Sequence, residues 1–498
     1  MSSNPILPRI KPGLSRFGVG NSHFHWLRQP KSGPLRLNLH DLYVHPELLP
    51  EWVASSAEAM QCLNLLGPLD WSEFPERDLQ RDWGQESTPY SAFAATCLFK
   101  IDQRLTSFSH LASYLADHPA LAWLLGFPGG SSLSRPGINP AGETFCPSLP
   151  TPRHFPRLLH KMPNACLQFL LYSSVKALLA EFEQRHIPIS ETVSLDTKHI
   201  LAWVKENNPK AYIKSDRFNK QKQPAGDPDC KLGCKRRHNQ RASSKEPPTT
   251  PNSNPLPAET ISIGEFYWGY ASGVVACKVP ECGEFVLAEM TQPFDRPDVS
   301  YFFPLMAAVE QRLGHKPRFG ALDAAFDAWY VYEYFHNPGQ DGFAAVPFSE
   351  RGGIRNRKFT PQGAPFCAAD RAMPLRYTFT SRTSLIEHQA QRYACPLLFP
   401  ETTGETCPID HKNFASGGCT STLPASIGSR LRYTLDRECP EYKAVYKQRT
   451  AVERLFSQAK ELGIERPHLR NQLAIANLNT LIYTLLNLRL LQRIRQRN

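Results

Sequence analysis

The stretch AVYKQRTAVERLFSQAKELG, residues 444–463, decides how this chain is read. It holds no proline, carries glycine only at its end and is rich in helix formers, so it predicts a helix. On that helix Tyr446, Arg449, Glu453 and Lys460 fall within about 60° of one another, at roughly 100° per residue. Val452, Leu455, Phe456, Ala459 and Leu462 fall on a neighbouring arc about 120° wide, an ordinary core-facing stripe. A row of charges beside such a stripe is usually a solvated face with some i,i+4 pairing. The remainder of the sequence must supply a reason to read it otherwise.

Composition narrows the classes. The chain has 498 residues, 41% hydrophobic and 21% charged, with a net charge of +11. That length predicts a main domain with additions, and the charge points to a polyanionic partner. The excess is uneven: Lys205 to Lys245 carries twelve Lys/Arg against four acids. This segment lacks apolar periodicity and predicts a flexible phosphate-tracking arm, with Lys235, Arg236 and Arg237 as candidate DNA contacts. The tract 241–260, rich in Pro, Ser and Thr, reads as a disordered loop. No run approaches 18 apolar residues, so no membrane span is expected. The start, MSSNPILPRIKPGLSRFG, lacks the apolar core of a signal peptide, which argues against export and for a cytoplasmic place. The thirteen cysteines are scattered without a compact secreted pattern and read as reduced thiols.

Along the chain, 1–87 reads as a loosely structured N-terminal region and 88–185 as a helical module. ETVSLDTKHILAWV then reads as a strand with Asp196 in its middle. EFYWGYASGVVACKV and GEFVLAEMT make a hairpin, DVSYFFPLMAAVEQRLG a helix, and PRFGALDAAFD a short strand ending at Asp323. AWYVYEYFHN is helical and GFAAVPF a further strand. Residues 350–440 form an inserted, Cys-containing lobe before the last catalytic helix. Asp327 is a rival to Asp323, but it stands where it could cap the helix starting near Ala328. Strand-Asp, hairpin, helix, strand-Asp, late helix-Glu is the layout of an α/β, ribonuclease H-like mixed-sheet core. Its carboxylates suit Mg²⁺, which prefers hard oxygen ligands and serves phosphoryl transfer in pairs.

The gapless pattern Y-x₂-R-x₃-E-x₆-K at Tyr446, Arg449, Glu453 and Lys460 resembles the signature of DDE transposases of the insertion-sequence type. SLDTKH resembles that family's first-Asp strand, GALDAAFDAWYVYEYF its second-Asp segment and YKQRTAVERLFSQAK its Glu helix. The likeness spans roughly residues 88–490. It departs in the long 241–260 interruption and in GYASG, which lacks the expected basic residue and histidine. The resemblance implies that Asp196, Asp323 and Glu453 hold Mg²⁺ or Mn²⁺, and that Arg449 and Lys460 grip DNA-end phosphates with Tyr446 packed beside them. It implies an enzyme, nucleoid-associated, that cleaves element ends and joins 3′ hydroxyls to target DNA, as a homodimer on double-stranded DNA. It leaves 88–185 as the DNA-binding module. Two alternatives stand beside it: a ribonuclease H-like nuclease without strand transfer, and a domesticated DNA-end-binding protein.

Cys395, Cys407 and Cys419 lie at even spacings of twelve, with Cys367 upstream and His411 nearby. They leave open either a structural Zn²⁺ in the lobe or, lacking any CxxC, simple thiols.

Overall fold

The computed structural model describes residues 38–77, 88–127, 137–138, 144–145, 149–213, 216–235, 265–336, 339, 341–349, 357–382 and 385–497. The tract 241–260, together with Arg236 and Arg237, lies outside the described residues.

Runs of β-branched and aromatic residues, punctuated by Gly and Pro, build one mixed sheet. Its strands are β1 (Thr192–Leu201), β2 (Lys231–Lys235), β3 (Glu265–Val279), β4 (Gly283–Pro293), β5 (Phe319–Leu322) and β6 (Phe343–Ala345). β3 pairs antiparallel with β1 on one side and with β4 on the other. β5 and β6 continue the sheet parallel to β1. The lateral order is β4-β3-β1-β5-β6, and β2 prolongs the β4 side along the first residues of β3.

Side chains of a strand alternate between faces, and here both faces are covered. Val275 and Cys277 of β3 face one layer with Val193 and Leu195 of β1. That layer also holds helix α4 (Phe302–Leu313), helix α5 (Trp329–Phe335) and the end of α3 (Asn164–Gln184). Trp268, Tyr270, Val274 and Ala276 face the other layer with α8 (Thr450–Glu461) and α9 (Gln472–Arg495). Val452, Leu455, Phe456 and Ala459, the stripe read from the sequence, are the side chains with which α8 packs there.

The N-terminal expectation needs correction. Residues 38–77 are not loose: α1 (Ala57–Leu66) and its flanks bury Leu39, Val53, Leu63, Trp71 and Phe74. They share a core with α2 (Tyr90–Asp102) and with Leu481, Leu485 and Leu488 of α9. Prolines and short apolar runs hid this, since each piece gains its hydrophobic partner only from distant helices. Among the described residues one helix, α3, is long and apolar enough to cross a membrane, and it is mostly buried inside the fold.

Where α3, β4 and α9 meet, Glu289 is buried. Its carboxylate accepts from Gln168 Nε2 at 2.8 Å and from the Thr480 hydroxyl. Burial, opposed by the Thr480 hydrogen bond and by Arg312, pushes its pKa up from 4.5 to about 7. The folded chain therefore holds this proton more tightly than the unfolded one. The resulting cost is absent below about pH 4.5, grows with pH and is complete above about pH 7, at roughly 3 kcal/mol. Urea titrations across that range are expected to show wild-type stability falling and the Glu289→Gln variant falling less. Parallel curves would remove Glu289 from the account.

The lobe between β6 and α7 (Pro440–Lys447) carries an antiparallel sheet of β7 (Leu375–Ser381), β8 (His388–Tyr393) and β9 (Ser421–Pro424), in the order β9-β8-β7. Helix α6 (Gly428–Thr434) returns the chain to the core beside α5.

Candidate active site

β1 and β5 run parallel with Leu195 opposite Leu322. Asp196 is the next residue of β1 and Asp323 the first residue past β5, so the two acids emerge side by side. Their side chains interact strongly enough that Asp323 is the second cause, after burial, of an Asp196 carboxyl pushed up to about 7. The Thr197 N–H and Arg449 pull it the other way. Asp323 also accepts from the Ala325 N–H at 2.8 Å, which fixes the turn that follows.

Glu453 arrives from the opposite direction, in the first turn of α8. One guanidinium joins it to the strand acids: Arg449 donates to Asp196 Oδ2 at 3.2 Å and to Glu453 Oε1 at 2.7 Å. Tyr446 backs the arginine, its ring 5.9 Å from the guanidinium, and stacks on Tyr442 at 5.9 Å. Asp196 and Arg449 are partly buried, whereas Glu453 is exposed.

Several expectations change here. The 444–463 stretch is not one helix. Gln448 and Arg449 separate α7 from α8, because Gln448 Nε2 donates to Thr192 Oγ1 at 3.1 Å and Ser190 donates to Gln448 Oε1 at 2.6 Å. The polar file survives the break by bending toward β1. Lys460 is exposed and pairs with Glu465 at 3.4 Å, a carboxylate it shares with Lys198 of β1.

Asp327 caps no helix. Arg432 grips it through Nε at 2.8 Å and Nη2 at 2.6 Å, and Tyr332 and the Ser349 N–H fill its remaining acceptor sites. So consumed, it is unsuited to a ligand role, and Asp323 stands as the acid of that segment.

The basic segment is not a loose arm where it is described. Asn207 bonds the Trp268 backbone in both directions, and the Trp268 indole donates to the Arg217 carbonyl. Buried Asp227 accepts from the Tyr270 hydroxyl at 2.7 Å. These side-chain hydrogen bonds order the segment without any apolar period. Lys235 ends β2, beside Glu265 of β3.

No protein-family model matches this chain, and no curated protein matches it either. The chemistry of the site is therefore read from its own atoms.

One acid escaped sequence reading. Asp298, at the start of the turn before α4, accepts from the Thr197 hydroxyl at 2.9 Å and its charge also raises Asp196. Nothing in DVSYFF marks it, since its place depends on the fold of the hairpin. Among the described residues no group of three His, Cys, Asp or Glu is spaced to hold a metal ion. The donors are nevertheless of the hard, carboxylate type that Mg²⁺ prefers. Two carboxylates converge on one positive group, Arg449, while a third raises the cost of leaving Asp196 ionised without such a partner.

Proposed function

We propose that this chain is a DDE-type transposase on a ribonuclease H-like sheet, cutting element ends and transferring 3′ hydroxyls to target DNA. The observation that carries the reading is the meeting of Asp196, Asp323 and Glu453: adjacent parallel strands supply two acids, one mid-strand and one just past a strand end, and Arg449 ties the third to the first. The sheet order β4-β3-β1-β5-β6 supports it, since this is the order that places those strands together.

Asp196, Asp323 and Glu453 would hold Mg²⁺ or Mn²⁺, which would supply charge neutralisation and activation for in-line attack at phosphorus. The protein's own groups position the DNA. Arg449 presents a planar donor fork that can exchange a carboxylate for a scissile-end phosphate. Tyr446 holds that fork in place from behind, and Glu465 holds Lys460 close to the strand that carries Asp196. The test is incubation with DNA carrying the element's terminal repeats and Mg²⁺. Cleavage with joining of the 3′ ends supports transposition, cleavage alone a nuclease, and binding alone a domesticated protein.

The duplex path extends past β1. Trp203 is 50% exposed, with the Arg470 guanidinium 5.1 Å from its ring and His468 stacked at 5.1 Å. An exposed indole with a cation on its face suits a base or sugar at an opened end. Changing Trp203 and Arg470 together to Ala is expected to weaken binding to frayed ends about ten-fold and to flatten the log–log salt slope by about 0.9. Fluorescence anisotropy across a salt series measures both. An unchanged slope and affinity would take this patch off the DNA path.

A further inference from the structure

We propose that Cys367, Cys395, Cys407 and Cys419 form a structural zinc site that staples the lobe inserted between β6 and α7. Successive members lie 12 to 28 residues apart in sequence, yet all four line one small cavity of about 10 Å³, together with His411. That volume suits a single ion or water.

The loop geometry serves this convergence. Gly417 and Gly418 have φ of 106° and 83°, left-handed values that favour glycine. They turn the chain so that Cys419 comes to line the same cavity as Cys395, close enough for Cys395 to help push the Cys419 thiol up. A Cβ on Gly418 would fall 2.5 Å from Cys395 Cβ and 3.2 Å from its sulfur, so the approach excludes any side chain there. Tetrahedral zinc with bonds of about 2.3 Å would set its sulfurs about 3.8 Å apart. As they stand, no three of these side chains are spaced to hold a metal ion, so the ligands must move inward on binding. Binding draws such ligands in as their protons pass to solvent.

The lobe also needs a staple. Its core is Met373, Tyr393 and Leu423, with a few half-buried neighbours that include Cys367 and Cys419 themselves. From Glu401 to Gly417 no side chain is buried, and the only regular structure there is the short turn Phe414–Ser416. An irregular segment of this length without a core is held by something other than apolar burial. The cysteines elsewhere give contrast: Cys62, Cys97 and Cys277 are buried within helical or sheet cores. A set of four sulfurs selects zinc or iron over harder ions, and redox-silent, tetrahedral zinc suits a purely structural staple. The proposal does not depend on transposase activity.

The test is metal analysis of the purified full chain after dialysis, by inductively coupled plasma mass spectrometry. About one zinc per chain is expected, falling at least about ten-fold in Cys407→Ser and in Cys419→Ser. Cys234→Ser, at an exposed cysteine outside the lobe, and His411→Ala should keep the metal. Should a Ser variant fail to fold, the wild type still decides. Cobalt(II) exchange should give tetrahedral thiolate absorption, and chelation should open the 394–420 loop to protease. Zinc-free wild-type protein with all four thiols open to alkylation would overturn the proposal. So would iron in place of zinc, or disulfides among the four cysteines by mass spectrometry.

Discussion

Asp196→Asn is expected to give a folded chain that binds DNA and cuts it at least about 10³-fold more slowly with Mg²⁺. The substitution keeps the volume and one acceptor oxygen but removes the charge. Asp196, in the middle of β1, stands beside Asp323, just past the end of the parallel strand β5; it is within reach of Asp298 and pairs with Arg449. In the metal-free fold its ionised form is disfavoured first by burial and then by Asp323. An Asn there relieves that cost, so its melting temperature in chelator should match or exceed that of wild type. Added Mg²⁺ should stabilise wild type and not the variant. This pairing of lost rate with retained stability is what a ligand predicts and a structural acid does not. Asp323→Asn and Glu453→Gln should behave alike in cleavage. Single-turnover cleavage within about ten-fold of wild type would strike the residue from the site, and a sharp fall in melting temperature would make it structural.

The parts of this fold legible in the sequence were those with a local period. β1, the β3–β4 hairpin, α4 and β5 follow from alternating or helical apolar patterns, and the stripe of α8 packs on the sheet as its spacing requires. The two strand acids were legible because each sits at a definite place in such a pattern. What escaped depends on partners far away in sequence. The break between α7 and α8 is made by Gln448 bonding Ser190 and Thr192, which helix propensity cannot register. Asp298 joins the site only because the hairpin returns it to Thr197. Residues 205–213 and 216–235 are ordered by Asn207 and Asp227, polar side chains whose hydrogen bonds leave no apolar signature. The cysteines of the lobe show no CxxC because their convergence is made by turns at glycines rather than by one knuckle.

Asp327→Ala is expected to cost about 3–5 kcal/mol, the largest loss of stability foreseen for a single change outside the apolar cores. Asp327 is almost fully enclosed, with 1% of its side chain exposed, and Arg432 is 20% exposed. Removing the acid leaves the guanidinium in a half-buried place with the ring of Phe348 at 4.8 Å and no carboxylate. It also orphans the Ser349 N–H and the Tyr332 hydroxyl, although Tyr332 still accepts from Arg437 at 2.9 Å. Replacing both partners, Asp327→Ala with Arg432→Met, should recover part of the loss, because no unpaired charge then remains. The effect reaches the site through the chain. α6 carries Arg432 and leads into α7 and α8, which bear Tyr446 and Glu453 with Arg449 between them. Loosening α6 from α5 therefore frees the segment that delivers Glu453 to Asp196. Urea denaturation gives the stability loss, and the double-mutant cycle separates the ion pair from its surroundings. Cleavage assayed well below the unfolding midpoint should still fall in Asp327→Ala and return in part with the double variant. A stability change under about 1 kcal/mol would mean that the pair is offset by its own desolvation, and that the lobe is held to the core by α6 packing alone.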